Sequence, residues 1–286
     1  MINLFTIILL AGCKIGLQSL ADVKGQIVMC NPNISDNDHT KGILIYTPKN
    51  NRYLYLAKNI PFSFLSFSEN KQKILGVTYN SHNRSIIEYD IKTKEITHIL
   101  NKSDNDVDFS FVQYVPKSDS ISFMAHPYFY VLNRKTKERK KIIKAFADYS
   151  WSRDGNKLFY STNYKTYFLD MDSKKTSLYI KDIKGYQPQL STSNDYIAFQ
   201  TISDDLNFDT ANLMVKEVKT GKEWRYKISV GVCGYRFSPD DKYLAILERT
   251  RNNQYRDINL VAWDFRNNKK VKLIEHIRDW SGFDWR

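Results

Sequence analysis

The side chains best suited to recognise another molecule lie in polar segments between apolar runs. Arginine and tyrosine are frequent in protein-binding surfaces, and loops held by rigid strands commonly carry function. The candidates for one binding face are His82, Arg84, His126, Tyr128, Asp204, Asp205, Arg249, Arg251, Tyr255 and Arg256. They form either a protein-binding surface or merely polar loops, and their arginine, tyrosine and histidine side chains could serve a lyase only if they converge.

Recognisable catalytic and metal motifs are absent from the sequence. The chain has no Gly-x-Ser-x-Gly nucleophile elbow, no His-Glu-x-x-His or Cys-x-x-Cys motif, and no glycine-rich phosphate loop. Its histidines are isolated from one another, so we expect no metal site and no cofactor. The acidic run at 104–108 lacks the glycine and the distant glutamate of an EF-hand, and we interpret it as a linker. The sequence therefore favours a non-catalytic protein.

A short apolar run, Leu4 to Leu10, precedes a cysteine at the N-terminal end. The run is far shorter than the roughly 20 residues that span a bilayer, but it has the length of a signal-peptide core. The segment Leu10-Ala11-Gly12-Cys13 resembles the lipobox of bacterial lipoproteins. This resemblance implies a signal peptide at 1–12, lipidation of Cys13 and a tether at 13–22. Because no Asp follows the cysteine, the resemblance favours the outer membrane, on the periplasmic side of the cell envelope.

The other two cysteines are Cys30 and Cys233. An even number of cysteines in an oxidising compartment is compatible with a disulfide, and two free thiols are the alternative. The repeat alignment given below places them in neighbouring units, which slightly favours a disulfide.

The chain of 286 residues is basic, with 43 Lys and Arg against 31 Asp and Glu and a net charge of +12. Such a charge suits an anionic partner, whether nucleic acid, a membrane surface or an acidic protein. The one dense basic run, 134–141, is interpreted as a hairpin turn followed by a lysine-bearing outer strand. Since the export signal takes the chain out of the cytoplasm, nucleic acid is not an expected partner.

A repeated pattern supplies the elements that hold these side chains. An aromatic or aliphatic anchor is followed by a polar turn and an apolar strand, at intervals of about 40 residues, the length of one propeller blade. A second hairpin follows in each unit, so that each unit has four antiparallel strands. The clearest copies are Trp151 to Phe159 and Phe237 to Ala245, and weaker copies begin at Phe67, Tyr114 and Leu190.

The two ends of the chain each carry part of a sixth unit. Trp285 lies where another anchor is due but has no strand after it, whereas strands are expected at 27–29, 43–46 and 53–56. The last residues should therefore pair with the N-terminal strands and leave no open sheet edge at the seam. The sequence thus predicts an all-β fold, a six-bladed β-propeller of four-stranded antiparallel blades over residues 23–286.

The anchors resemble the repeat of TolB-type six-bladed propellers, which also occurs in the non-catalytic domains of prolyl oligopeptidase relatives. The family pattern reads roughly Phe-Ser-Pro-Asp-Gly, two further residues and an apolar strand. The copy at Phe237 has Asp241 in place of Gly, and the copy at Trp151 has Arg153 in place of Pro. The resemblance implies a fold more than a function.

Together these features predict a non-catalytic, lipid-anchored envelope protein that acts as a protein-binding scaffold. We expect a monomer with an envelope or secreted protein as partner, and with membrane contact through the lipid anchor only. The alternatives are a propeller that binds glycan or peptidoglycan fragments, an immunity protein that neutralises a delivered toxin, and a propeller-fold lyase or hydrolase.

Overall fold

The computed structural model describes residues 22–30, 42–57, 60–80, 83–101, 109–144, 149–179, 185–201, 212–227, 232–249, 258–277 and 282–286. These residues form six four-stranded antiparallel sheets with one short 3-10 helix, Pro48–Asn50. The sheets are the blades of a propeller, and in each blade the first strand lines the central axis. The predicted six-bladed, all-β fold is confirmed.

The strands are numbered in chain order and grouped by blade, from the inner strand outwards. Blade 1 contains β24 (Phe283–Trp285), β1 (Ile27–Cys30), β2 (Ile43–Thr47) and β3 (Arg52–Leu56). Blade 2 contains β4 (Phe62–Phe67), β5 (Lys73–Asn80), β6 (Asn83–Asp90) and β7 (Ile96–Asn101). Blade 3 contains β8 (Phe109–Tyr114), β9 (Ser120–Ala125), β10 (Tyr128–Asn133) and β11 (Arg139–Lys144).

The second half of the ring has the same order. Blade 4 contains β12 (Tyr149–Trp151), β13 (Lys157–Thr162), β14 (Lys165–Asp170) and β15 (Thr176–Leu178). Blade 5 contains β16 (Gly185–Leu190), β17 (Tyr196–Thr201), β18 (Asn212–Glu217) and β19 (Glu223–Lys227). Blade 6 contains β20 (Val232–Phe237), β21 (Leu244–Arg249), β22 (Ile258–Asp264) and β23 (Lys269–Ile277).

The hydrophobic core lies between the blades. On β21, Leu244 and Ile246 pack with blade 5, whereas Ala245 and Leu247 pack with blade 1. Successive side chains of a strand point to opposite faces, so a blade that is buried on both faces needs a continuous apolar run. This packing explains why the second strand of each unit is largely apolar.

A serine directly after the anchor builds the turn between the first and second strands. Ser238 Oγ donates to Asp240 Oδ1 at 2.8 Å and accepts from the Tyr243 amide at 2.9 Å. The same bond to the amide five residues later is made by Ser68, Ser152 and Ser191. A short polar side chain at this point satisfies backbone groups that the turn leaves unpaired.

The departure from the TolB-type pattern at Asp241 has a structural reason. Its backbone has a φ of 55°, in the left-handed region that glycine usually occupies. Its buried carboxylate accepts the Thr192 amide at 2.7 Å and the Ser193 amide at 2.8 Å, both in the turn of blade 5. The aspartate therefore joins blades 5 and 6, which glycine could not do.

The C-terminal residues close the ring, as the sequence predicts. On β24, Trp285, Asp284 and Phe283 lie opposite the β1 residues Ile27, Val28 and Met29. Beyond the strands, the Gln26 amide donates to the Arg286 carbonyl at 2.7 Å, and the Arg286 amide donates to the Gln26 carbonyl at 3.0 Å. The two ends of the chain thereby replace the turn that links the first two strands in the other blades.

Two features bear on the basic run and on the membrane. The run at 134–141 forms a turn and the beginning of β11, an outer strand, as predicted. In the part of the chain that the structure describes, no helix has the length and apolar character needed to cross a membrane.

Replacing the seam tryptophan tests the closure. Trp285 is only 3% exposed, and its Nε1 donates to the Lys24 carbonyl at 3.0 Å. Trp285→Ala should lower the free energy of unfolding by about 3 kcal/mol, because it leaves a cavity between blades. Urea unfolding measures the loss. The control is Leu54→Ala on the outer strand, where the side chain is 50% exposed and the expected loss is below about 1 kcal/mol. Equal losses would contradict the proposed role of the seam.

Candidate functional site

A cavity of about 1150 Å³ lies on the propeller axis. Its walls are the first strands of the blades, and it is bordered at one end by the turns between the first and second strands. We call this cavity the channel and that end the mouth. Deep concave sites on rigid scaffolds are the usual places where proteins bind other molecules, so the channel is the candidate functional site.

One residue position supplies a polar ring in the channel wall. The residue directly before each anchor is polar in every blade and lines the channel. These residues, called here the inner ring, are Ser66, Gln113, Ser150, Gln189, Arg236 and Asp284. In each inner strand the ring residue faces the channel, whereas the residues on either side of it face the neighbouring blades, because adjacent strand residues point in opposite directions.

Three members of the inner ring connect their blade to the next one. Ser150 Oγ accepts the Leu190 amide at 3.0 Å. Asp284 Oδ2 accepts the Phe67 amide at 2.9 Å, and Gln113 Nε2 donates to the Tyr149 carbonyl at 3.0 Å. Inner strands of different blades do not pair through their backbones, so these side chains satisfy buried backbone groups that would otherwise lack partners.

Backbone bulges shape the wall below the ring. Phe64, Phe111 and Gln187 occupy the same position in three inner strands, each with a φ between 51° and 55° and a shift in strand register. The carbonyls of Phe111 and Gln187 accept the hydroxyls of Tyr149 and Tyr235 from the following blade. A left-handed conformation at a non-glycine residue stores strain, and these bonds between blades help to hold it.

A buried glutamate orders basic and aromatic side chains at the mouth. Glu88 Oε1 accepts Lys73 Nζ at 2.6 Å, and Glu88 Oε2 accepts Arg134 Nη1 at 2.6 Å. The Tyr114 hydroxyl donates to the same Oε2 at 2.9 Å. Burial, and secondly the charge of Glu88, raise the pKa of Tyr114 above its usual value. The phenol therefore remains a donor, and Lys73, Arg134 and Tyr114 are fixed together on the channel wall.

The channel and its mouth carry more positive than negative side chains. The acidic residues in the wall are Glu69, Asp119 and Asp284. The basic residues in the wall are Lys71, Lys73, Lys117, Arg134, Arg153, Arg236 and Arg286. A concave site with one predominant sign of charge attracts ligands of the opposite sign.

Four of the candidates from the sequence lie at the other end of the blades. Arg84, His126, Tyr128 and Arg249 are at or beside the turns between second and third strands, and none of them lines the channel. Lys141 Nζ lies 4.1 Å from the centre of the Tyr128 ring. The structure places these four residues in blades 2, 3 and 6. The other candidates, His82, Asp204, Asp205, Arg251, Tyr255 and Arg256, lie outside the described residues.

The cysteines are in neighbouring blades, as the alignment predicts, but no disulfide joins them. Cys30 Sγ donates to the Gly282 carbonyl at 3.3 Å, and Cys233 Sγ accepts Arg249 Nε at 3.2 Å. The possible disulfide is therefore not formed in this structure. Each sulfur is directed to a different partner. Cys13 lies outside the described residues.

Among the described residues, no group of three His, Cys, Asp or Glu side chains is arranged to hold a metal ion. The inner ring could have been found in the sequence from one signal: each anchor is preceded by a polar residue. Nothing in that signal says which ring residues contact one another. That depends on how adjacent blades pack.

The fold has clear relatives among solved structures. TolB from Acinetobacter baumannii is similar over 92% of this chain and 67% of its own, with a TM-score of 0.77 and 15% identity. A nidogen/laminin complex matches over 91% of this chain and 98% of its own, with a TM-score of 0.67 and 10% identity. An oligogalacturonate lyase in complex with manganese matches over 76% and 73%, with a TM-score of 0.53 and 12% identity.

At these identities the similarity shows the fold alone: the chain is a TolB-like six-bladed propeller. No protein-family model and no curated protein matches the chain. The solved relatives include an enzyme as well as TolB and a protein complex, so this fold does not by itself determine an activity.

Replacing Glu88 tests the network at the mouth. Glu88→Gln should lower the free energy of unfolding by about 2 kcal/mol, because it leaves Lys73 and Arg134 without their buried anion. The loss is moderate because Lys73 keeps part of its hydration. Tyr114 should also ionise at lower pH, since the charge that raises its pKa is lost. Urea unfolding and ultraviolet titration of tyrosine measure these effects.

The control for this experiment is Glu138→Gln. Its ion pair with Lys140 is exposed, with side-chain accessibilities of 60% and 65%, and its loss should cost below about 0.5 kcal/mol. If both variants had the same stability and the same tyrosine titration, Glu88 would not organise the mouth.

Proposed function

We propose that this chain is a lipid-anchored envelope protein whose propeller binds another protein at the mouth of the channel. The observation that carries the proposal is the set of basic side chains fixed around a deep concave site. Rigid strands hold this site in place. A protein that only binds a partner needs no catalytic residues in addition to this surface.

The charge at the mouth favours an acidic segment of the partner. Lys117 and Arg153 are exposed on the turns of blades 3 and 4. Lys73 and Arg134 are held in place by Glu88, and Tyr114 adds an aromatic surface beside them. Arginine and tyrosine on a preorganised surface lose little conformational entropy on binding, and complementary charge speeds association.

The N-terminal sequence supports a location in the cell envelope. Lipidation at Cys13 would anchor the propeller to a membrane with two or more acyl chains, which is enough for stable attachment. The proposed location is the periplasmic side of the envelope, with the outer membrane favoured. A partner would then be another envelope protein or a secreted protein.

Charge reversal at the mouth tests where the partner binds. The bait is the full-length lipidated protein, crosslinked in intact cells and analysed by mass spectrometry. The double variant Lys117→Glu/Arg153→Glu should reduce capture of a stoichiometric protein partner about tenfold, because both substitutions repel an acidic segment. Lys140→Glu, on the outer strand of blade 3, is the control and should leave capture unchanged.

An unchanged yield with the mouth variant would show that the partner binds elsewhere. The face that carries Arg84, His126, Tyr128 and Arg249 would then be examined in the same way. A wild-type bait that captures no protein would remove the support for a protein-binding scaffold.

The lipid anchor has a separate test. Cys13→Ser should release the protein from the membrane fraction into the soluble fraction, because no acyl chain can attach to serine in this pathway. Cell fractionation followed by immunoblotting measures the distribution. The control is Cys30→Ser, which keeps the lipidated cysteine and should remain with membranes. Membrane retention of Cys13→Ser would contradict the lipoprotein assignment.

A further inference from the structure

The inner ring contains one buried donor without a partner. Gln189 is 5% exposed and lines the channel, and its Nε2 has no hydrogen-bond partner among the described residues. A buried amide that is left unpaired destabilises the folded protein, because it loses its hydrogen bonds to water. Native proteins rarely retain such a group, and each case calls for a physical reason.

Blade 3 provides an internal comparison. Gln113 occupies the same ring position as Gln189, and its Nε2 donates to the Tyr149 carbonyl of the following blade at 3.0 Å. In blade 6 the equivalent carbonyl belongs to Tyr235. That carbonyl accepts Nη1 of Arg236 at 2.8 Å. By analogy with blade 3, the Tyr235 carbonyl would accept a hydrogen bond from Gln189. It is bonded to Arg236 instead, and the Gln189 amide remains unpaired.

Arg236 has donors to spare. A guanidinium carries five N–H groups, and in the part of the chain that the structure describes the Arg236 side chain makes a single hydrogen bond, to the Tyr235 carbonyl, and no salt bridge. Its guanidinium carbon lies 5.7 Å from the centre of the Phe283 ring, which gives it an apolar support. Arg236 and Gln189 are in the adjacent inner strands β20 and β16.

The acidic neighbour in the ring does not satisfy these donors. Asp284 Oδ2 accepts the Phe67 amide and Arg286 Nε, at 2.9 and 3.3 Å, and its Oδ1 accepts the Trp285 amide at 2.9 Å. Its charge is therefore largely compensated by other groups. Gln189 and Arg236 therefore have hydrogen-bond donors for which the described residues supply no acceptor.

We propose that Gln189 and Arg236 form a binding site for a carboxylate group that enters the channel. A carboxylate offers two coplanar oxygens, which match a guanidinium and one amide donor. Its single negative charge suits one arginine beside Asp284 better than a doubly charged phosphate does. The site does not depend on the protein partner proposed above, because its donors lie within the channel wall.

The carboxylate could belong to a free small acid or to an Asp or Glu side chain of a peptide. A channel of about 1150 Å³ can admit either. The two sources share the same recognition chemistry, and two ligands distinguish them. Succinate represents a free acid, and acetyl-Gly-Asp-Gly-amide represents a peptide side chain.

The experiment is isothermal titration of the full chain with both ligands at constant ionic strength, with succinamide as the uncharged comparison. We expect saturable one-site binding of a carboxylate ligand and none of succinamide. Gln189→Leu and Arg236→Gln should each weaken binding by about tenfold or more, because each removes a hydrogen bond to a charged group. Binding of succinate alone identifies a free acid, and binding of the peptide identifies a side-chain carboxylate.

A matched variant separates binding from folding. Gln189→Leu removes an unpaired amide, so the melting temperature of the free protein should not fall. Gln113→Leu removes the bond to Tyr149, so its melting temperature should fall, unlike that of Gln189→Leu. The proposal is overturned if neither carboxylate binds the wild-type chain, if succinamide binds equally well, or if Gln189→Leu binds as tightly as the wild type.

Discussion

Each blade of the propeller can bury both of its faces only if the ring is closed, and closure depends on the pairing of β24 with β1. The central strands are apolar on both sides. Without β24, the first blade would lose its inner strand, and the apolar side chains that pack against Phe283 and Trp285 would be exposed to solvent. The core is a series of layers between blades, so a defect at one seam affects the geometry of the whole channel.

Closure also explains the polar character of the channel wall. Inner strands of neighbouring blades belong to different sheets and do not pair through their backbones, so side chains link them. Ser150, Gln113 and Asp284 do this by bonding backbone groups of the next blade. The same positions face the cavity, and a binding surface thus arises from groups that the fold already requires. Gln189 and Arg236 differ because one arginine displaces the regular bond.

The mouth combines stability and recognition in the same way. Glu88 is buried and holds Lys73 and Arg134, both of which lie in the channel wall. A buried ion pair contributes little net stability, but it fixes long, flexible cations in one arrangement. Such preorganisation is what a binding surface gains from the network, because the side chains need not be ordered again when a ligand arrives.

The sequence by itself determined the repeat, the six blades and the closure. These follow from local patterns: the polar turn after the anchors, the largely apolar second strand and the unmatched Trp285. It also showed a polar residue before every anchor, although that residue's role was not evident. The structure decided that the described candidates Arg84, His126, Tyr128 and Arg249 do not line the channel, and that no disulfide joins Cys30 and Cys233.

Only the tertiary structure could show which donors lack partners. Gln113 and Gln189 have the same residue type at the same repeat position, yet one is bonded and the other is not. The difference arises from Arg236, which lies 47 positions further along the chain and reaches the ring through blade packing. A sequence pattern encodes each strand locally, whereas hydrogen bonds between blades depend on distances that only the assembled ring defines.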